Sequence, residues 1–423
     1  MSLSALPTEL HIQIAQYLQS TELSSVSKVS RYYRVIAEPH LYRYICIPAK
    51  QDVCARKLLL TLISRPDLAT HVNGLEIEQG SHLAKRIKAS FLLLENALAS
   101  VQAAIASVLG SHPQHAAMRM MWQGSIMAEE FLEGTIALIA CLSPGLQSLS
   151  FNVHSSAPDP ASGEFISKVL SYAAVVRSSC EIVERFSKLR TLILQSRRAI
   201  TVPDLPSLHF LRILDSKTVQ CPTASPKLRR LELFHTNSVA IMSQLKGIPE
   251  LEYLAIHDSS GRYYQPTIDK LRKECPKLNT LDLTVDRFVP WVSAPLQGLA
   301  SMKNLRSLTI DLDFLVSTHD VTRLFHDSAG LPPNLVQLNI FNVGTMDFVD
   351  PKLLTSHFFA HSPRLKGLTF YVESTFVCPK SVKSVLATVT KRLRAQDIVF
   401  QVHCCIGFMN GVRVAQPVVR LMD

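Results

Sequence analysis

The sequence has little glycine, few charged residues and none of the short motifs that hold phosphate groups or metal ions. Glycine occurs 15 times in 423 residues, which is roughly half of its usual share. No Walker loop, dinucleotide-binding glycine fingerprint or Gly-x-Ser-x-Gly elbow occurs. His112 and His115 are accompanied by neither a His-Glu-x-x-His helix nor an acidic third ligand. We therefore expect a protein that is not an enzyme, with no catalytic residue, no cofactor and no metal site.

The sequence also lacks the features of secreted and membrane proteins. Its nine cysteines are scattered and odd in number, with no Cys-x-x-Cys pair, so no disulfide framework is expected. The first residues, MSLSALPTEL, have neither the basic nor the apolar region of a secretory signal. The apolar stretch 91–109 contains Glu95 and Asn96 and predicts a buried or amphipathic helix. We expect a cytoplasmic or nuclear protein with no membrane partner.

Apolar side chains and positive charge are what the sequence does have. Apolar residues make up 47% of the chain and leucine fills 58 positions, which is enough for a sizeable core. The length exceeds that of a usual single domain. The net charge of +10 is concentrated, because residues 185–235 and 351–423 each hold ten basic and three acidic residues, net +7, and the remainder sums to −4.

The N-terminal forty residues predict three short helices. Leu10, Ile14 and Leu18 recur at helical spacing, so the first helix has an apolar face. This helix can begin at Pro7 or Thr8, and Pro39 is expected to end the third helix. Three helices of this length cannot enclose a core alone. The segment therefore needs a partner surface or the rest of the chain.

This segment resembles the F-box. The family pattern is Leu-Pro-x-Glu-Leu, a helix ending in Tyr-Leu, a further Leu, and Val-Ser-Arg followed by an aromatic residue. The matching residues are Leu6, Pro7, Glu9, Leu10, Ile14, Tyr17, Leu18, Leu23, Val26, Val29, Ser30, Arg31 and Tyr33. Tyr33 stands where the family usually has tryptophan.

The resemblance implies docking to a Skp-type adaptor and, through it, to a cullin. The adaptor-binding residues would be Leu6, Pro7, Leu10, Ile14, Leu18, Leu23 and Val29. These apolar side chains exceed what so small a unit can bury internally. The alternative is an ordinary three-helix cap on the following domain.

The rest of the chain repeats the pattern L-x-x-L-x-L. The clearest copies run at 189–194, 208–213, 228–233, 251–256, 278–283, 305–310, 335–340 and 365–370. Further copies fit at 146–151, 72–77 and, weakly, 395–400. Seven copies have a proline two residues before their first leucine, a position that suits the approach to a short strand.

This pattern resembles the leucine-rich repeat, which stacks short parallel strands into a solenoid. The consensus asparagine after the strand is replaced, so an irregular solenoid is implied. The predicted fold class is α/β: a three-helix F-box at 1–48, followed at 49–423 by an irregular leucine-rich-repeat solenoid with parallel strands and helical or loop returns. Enlarged helical segments are predicted at about 80–185, in runs 83–109, 115–142 and 163–187.

Side chains between the repeat leucines are expected on the outward, concave side of the strands, since side chains alternate along a strand. Aromatic and arginine side chains there are typical interface anchors. The substrate-binding residues would be Arg212, Arg230, Phe234, Tyr253, His257, Phe341 and Tyr371. Loops that descend from the strands are expected to cover about half of these positions.

The combined resemblance implies a substrate-recognition subunit of a Skp–cullin–F-box ubiquitin ligase, with a protein substrate on the repeat domain. The basic segment 185–235 favours an acidic or phosphorylated patch on that substrate. The first alternative is a protein-interaction scaffold that does not serve degradation. The second, a nucleic-acid-binding repeat protein, rests only on the basic segments, because no nucleic-acid-reading module is present.

Overall fold

The structure is a computed structural model of the whole chain. It describes residues 6–48, 52–79, 97–110, 112–127, 133–153, 164–176, 181–195, 199–214, 216, 219–220, 226–234, 248–258, 265–285, 298–311, 331–343, 362–373, 390–391, 393–409 and 412–417. The chain divides into two compact units, one of residues 1–196 with 200–208 and one of residues 197–199 with 209–423. The predicted domain boundary at residue 48 remains a prediction.

The chain opens with three helices. They are α1 (Thr8–Tyr17), α2 (Ser20–Val26) and α3 (Arg31–Leu41). The Ser30 side chain caps α3 by accepting a hydrogen bond from the Tyr33 N–H at 3.2 Å. Pro39 does not end α3 as predicted. The helix continues to Leu41 because the Tyr42 N–H still reaches the Glu38 carbonyl at 3.0 Å, so the last turn closes beyond the proline.

Four parallel strands follow in the first unit. They are β1 (Tyr44–Ile47), β2 (Gly74–Gln79), β3 (Ser148–Val153) and β4 (Thr191–Gln195), paired in chain order. The intervening helices are α4 (Asp52–Ser64), α5 (Pro66–Ala69), α6 (Leu98–Leu109), α7 (Ala116–Met127), α8 (Glu133–Leu142), α9 (Glu164–Val176) and α10 (Ile182–Arg185), with a 3-10 turn at Pro113–His115. Residues 80–96 of the predicted helical segment lie outside the described residues.

The second unit continues the repeat. Its parallel strands are β6 (Phe210–Leu214), β8 (Arg230–Phe234), β9 (Tyr253–Asp258), β10 (Thr280–Val285), β11 (Ser307–Asp311), β12 (Gln337–Val343), β13 (Gly367–Glu373) and β14 (Val399–Met409). Strand β15 (Val412–Pro417) pairs antiparallel with β14. Strand β7 (Val219–Gln220) also lies in this unit, whereas β5 (Ile200–Thr201) belongs to the first unit. The helix α11 (Gln265–Glu274) precedes β10, and a 3-10 turn (Leu299–Ser301) precedes β11.

The repeat leucines form one continuous row in the core of the second unit. Leu231 pairs in register with Leu254, Leu254 with Leu281, and Leu281 with Leu308. Each of these side chains has no exposed surface. The predicted fold class is therefore confirmed: short parallel strands follow an N-terminal helical segment and stack in sequence order with their leucines inward.

A repeated backbone turn explains the prolines. In most copies within the described residues, the N–H of the first leucine donates to the carbonyl three residues earlier, as from Leu146 to Ser143, at 3.1 Å, and from Leu365 to Ser362, at 3.1 Å. Pro144 and Pro363 therefore occupy the second position of a four-residue turn, which suits the fixed φ of proline. The turn delivers the chain into the next strand with its leucine already buried.

Among the helices that the structure describes, none is long and apolar enough to cross a membrane. The described part of the apolar stretch 91–109 forms α6, in which Val101, Ile105 and Val108 are buried. The helix is consequently a core element of the first unit.

Candidate protein-binding surfaces

The first helix presents an apolar stripe to solvent. Leu10 and Ile14 are each 40% exposed and Tyr17 is 88% exposed. They recur at intervals of four and three residues, so they share one face of α1. His11 lies about 100° around the helix from Leu10, and its buried ring packs edge-on to Tyr32 of α3, with centroids 5.6 Å apart. The stripe therefore lies beside the face of α1 that packs against α3 and stays open to solvent.

A small core holds the three helices together behind this stripe. It consists of the buried side chains of Ala15, Leu23, Ile36 and Ala37, with Leu18, Val26 and Leu41 packed against them. The His11 Nδ1 and the Tyr32 hydroxyl lie 2.8 Å apart, and that hydroxyl donates to Thr8 Oγ1 at 3.1 Å. These contacts tie α1 to α3 and fix the stripe on a defined support.

The seven predicted adaptor-binding residues fall into two groups. Pro7, Leu10, Ile14 and Val29 are exposed, and Leu6 is half-buried. Leu23 is only 4% exposed and Leu18 packs on the core beside it, so these two leucines support the surface from within. Val29 lies in the turn between α2 and α3. The adaptor-binding role of the set remains a prediction.

On the second unit, the side chains between the leucines form three parallel rows across the strands. The first row holds Phe210, Arg230, Tyr253, Thr280, Ser307, Gln337, Gly367 and Val399. The second row holds Arg212, Glu232, Ala255, Asp282, Thr309, Asn339, Thr369 and Gln401. The third includes Phe234, His257, Thr284, Asp311, Phe341, Tyr371 and His403. All three rows share the outward face because side chains alternate.

An ion cluster lies at the β6 end of this face. Glu232 is 1% exposed, and its carboxylate accepts from Arg212 Nε and, at 2.6 Å, from Arg230 Nε. The guanidinium of Arg230 lies 4.3 Å from the Tyr253 ring centroid and 5.1 Å from that of Phe210. The guanidinium of Arg212 lies 5.6 Å from the same Phe210 ring. Both arginines are therefore held by one carboxylate and by aromatic rings.

The Tyr253 phenol is surrounded by the charged groups of this cluster. Burial raises the pKa of Tyr253 to about 12, and the carboxylates of Asp282 and Glu232 add to the rise while Arg230 and Arg212 oppose it. A raised phenol pKa means that the neutral form is favoured. Two carboxylates and two guanidiniums thus act on this phenol in opposite directions.

The other end of the face is uncharged and polar. The Gln337 Nε2 donates to Asn339 Oδ1 at 2.9 Å and to Thr369 Oγ1 at 3.3 Å, and the Asn339 Nδ2 donates to Thr309 Oγ1 at 3.1 Å. Gly367 makes this possible, because a Cβ at that position would collide with the Gln337 amide. The result is an ordered ladder of amides and hydroxyls across β11, β12 and β13.

The third row is largely buried. Phe341 and Tyr371 stack with centroids 4.0 Å apart and planes 3° from parallel, and the Tyr371 ring stacks on His403 at 5.3 Å. Burial lowers the pKa of His403. His257 is 2% exposed, and its Nδ1 lies 2.5 Å from Thr284 Oγ1. Accessibility on this face thus falls from the first row to the third.

The structure places the predicted substrate-binding residues accordingly. Phe234, His257 and Phe341 lie in the buried row, so they are not exposed contacts as the alternation suggests. Arg212, Arg230 and Tyr253 lie together in the ion cluster, and Tyr371 is half-buried. The role of the set in substrate binding remains a prediction.

Glu232 was not among the predicted substrate-binding residues, although the alternation of side chains places it on the outward face. It lies between the two arginines on the outward face and is bonded to both. A signal was present, since aligning the repeat copies at Leu211 and Leu231 pairs Arg212 with Glu232. Arg212 and Arg230, both predicted to bind substrate, thus share one buried carboxylate.

Comparison with known proteins assigns the N-terminal segment. No curated protein matches the chain significantly. The crystal structure of the Rad7 and Elc1 complex from yeast matches at 12% identity and a TM-score of 0.33, over 86% of this chain and 88% of that one. A protein from Bacteroides fragilis matches at 11% identity and a TM-score of 0.24, over 91% of this chain and 72% of that one. Residues 3–48 match the F-box-like family model, which confirms the resemblance: the chain begins with an F-box-like domain.

Proposed function

We propose that the chain is a substrate-recognition subunit of a Skp–cullin–F-box ubiquitin ligase. The observation that carries this proposal is the F-box-like match over residues 3–48. Its structural support is the apolar stripe of α1, where Leu10 and Ile14 each leave 40% of their surface exposed on a well-anchored helix. Exposed apolar surface of this kind marks a protein interaction site. The partner in the proposal is a Skp-type adaptor, and a cullin joins through it.

In this function the chain positions a substrate, and it makes or breaks no covalent bond itself. Among the described residues, no group of three His, Cys, Asp or Glu side chains is arranged to hold a metal ion. The contribution of a receptor is to hold a substrate lysine near a charged ubiquitin-conjugating enzyme. That raises the effective concentration of the reacting groups.

The outward face of the second unit is the proposed substrate surface. Its first row offers exposed or half-buried side chains, among them Phe210, Arg230 and Tyr253. Arginine and aromatic side chains dominate the binding energy of protein interfaces. The substrate in the proposal is a protein with an acidic or phosphorylated segment.

Adaptor binding is tested by replacing Leu6 and Pro7 with alanine in the full-length chain. Leu6 is half-buried and Pro7 is exposed, so neither contributes a fully buried core side chain. The double variant should lose co-purification of a Skp-type adaptor and keep its substrate. Undiminished co-purification would remove the N-terminal surface from the proposal.

A reconstituted ubiquitination assay separates the receptor from a non-degradative scaffold. With adaptor, cullin and conjugating enzyme present, a receptor transfers ubiquitin to a protein captured by the second unit. A scaffold binds the adaptor and the captured protein without transfer. A nucleic-acid-binding protein would instead show oligonucleotide binding that falls steeply with salt.

A further inference from the structure

The ion cluster at the β6 end is built as a continuous stack. Arg212 lies between the Phe234 and Phe210 rings, at 5.7 and 5.6 Å from their centroids. Arg230 lies between the Phe210 and Tyr253 rings, at 5.1 and 4.3 Å. The order across the stack is therefore ring, guanidinium, ring, guanidinium, ring. Such stacking fixes the planes of guanidiniums that would otherwise be mobile.

Glu232 also holds the two guanidiniums in place, because its carboxylate bonds to both of them. Its carboxylate engages Nε of Arg212 and both Nε and Nη2 of Arg230. Each guanidinium has five N–H donors, whereas one carboxylate offers only about four acceptor sites. One buried carboxylate therefore cannot use all the donors of two arginines. The Arg230 side chain is 48% exposed and that of Arg212 is 25% exposed, so a ligand can approach both from solvent.

The charge of the cluster limits what that ligand can be. Two guanidiniums and one carboxylate sum to a net charge of +1. Asp282 lies in the same row as Glu232, two strands away through Ala255, at about 10 Å. A ligand with one negative charge would bring the net charge of the cluster to zero. A phosphoryl group carries about −1.5 to −2 and would leave excess negative charge beside a buried carboxylate.

We propose that Arg212, Arg230 and Glu232 form a binding site for one side-chain carboxylate of an acidic protein segment. This rests on the proposed function, in which the second unit is the substrate surface, and it specifies the substrate chemistry. The ligand carboxylate receives charge-assisted hydrogen bonds from both guanidiniums, and Glu232 keeps their spacing fixed before the ligand arrives. The rings of Phe210 and Tyr253 pack beside the bound segment.

The test uses the full-length chain and three labelled twelve-residue peptides. The peptides share an uncharged Gly, Ser, Leu and Tyr frame with blocked ends and carry a central Glu, Gln or phosphoserine. Fluorescence anisotropy gives a Kd for each. A charge-assisted hydrogen bond predicts that the Glu peptide binds at least about tenfold more tightly than the Gln peptide. The phosphoserine peptide should bind no more tightly than the Glu peptide.

Two variants and one control locate the site. Arg230→Lys and Arg212→Lys keep the charge but lose the planar donor fork, so each should bring the Glu and Gln peptides within about twofold of each other. Arg229→Lys is the matched control. Arg229 is adjacent in sequence, its side chain is 60% exposed, and it pairs with Glu252 at 3.7 Å, outside the stack. It should leave the ratio unchanged.

Each other outcome overturns the inference. Equal binding of the Glu and Gln peptides, or no binding of the Glu peptide up to about 1 mM, excludes a carboxylate site. Tighter binding of phosphoserine assigns the cluster to phosphate. An equal loss in Arg229→Lys shows that the discrimination between the Glu and Gln peptides does not depend on the cluster. Adaptor co-purification separates the two proposals, because it is independent of this site: its retention with a failed peptide test removes the carboxylate site alone.

Discussion

Truncation of the α1 stripe gives a sharp test of where an adaptor binds. Burying a whole Leu or Ile side chain contributes about 1.5–3 kcal/mol. Leu10 and Ile14 are 40% exposed in the free chain, so an adaptor gains about 0.6–1.2 kcal/mol from each. Leu10→Ala with Ile14→Ala should therefore weaken adaptor binding by about 1.2–2.4 kcal/mol, or about 8- to 60-fold in Kd. Calorimetric titration of a purified Skp-type adaptor into the chain measures it.

Ile12 provides a matched control on the same helix. It is 39% exposed against 40% for Ile14, so truncating either residue removes a similar amount of buried surface from the fold. Two residues rotate a helix by about 200°, which places Ile12 on the other side of α1. Ile12→Ala should change Kd by less than about twofold and should lower thermal stability as much as Ile14→Ala. Equal weakening by Ile12→Ala and Ile14→Ala would refute the assignment of the stripe.

Two further predictions concern the second unit. Leu281→Ala removes a fully buried side chain between Leu254 and Leu308, so it should lower the free energy of unfolding, measured by urea denaturation, by about 2–5 kcal/mol. Val399→Ala, at a position 62% exposed, should change that free energy by less than about 0.5 kcal/mol. Similar effects of the two substitutions would contradict the inward leucine row. The pKa of Tyr253 is raised from 10.0 to about 12, so the stability linked to its neutral phenol is present below pH 10 and is lost as pH rises through about 12. Tyr253→Phe should remove one phenol from the last part of a spectrophotometric tyrosine titration, and loss from the early part would contradict the assignment.

The strands could be predicted because their signal repeats. Each copy places leucines at fixed offsets, and Leu231, Leu254 and Leu281 then pair in register without a bulge. Strand β1 was not predicted, since Tyr44–Ile47 contains no leucine template. Strand β14 extends to Met409, well past the weak copy at 395–400, and its antiparallel partner β15 follows no repeat. Pairing at the ends of a stack is set by neighbouring backbone and not by the period.

Accessibility of the outward side chains could not be predicted from the period alone. Alternation places Phe234, His257 and Phe341 on the outward face correctly, but all three are buried. Burial there depends on how other parts of the chain pack on the ends of the strands, and the segments between strands differ in length and composition. The pairing of Arg212 with Glu232 is different, because it follows from register and is readable once the copies are aligned.

The regular spacing of strands in the second unit also constrains the sequence of any extended segment that binds across them. Eight parallel strands, β6 and β8 to β14, are stacked in order, and neighbouring strands lie about 4.8 Å apart. An extended peptide advances about 3.3 Å per residue. Three peptide residues therefore span nearly the same distance as two strand spacings, about 10 Å. A partner segment that follows one row across the strands would therefore place every third residue over every second strand, so the residues that determine its specificity would recur with a period of three.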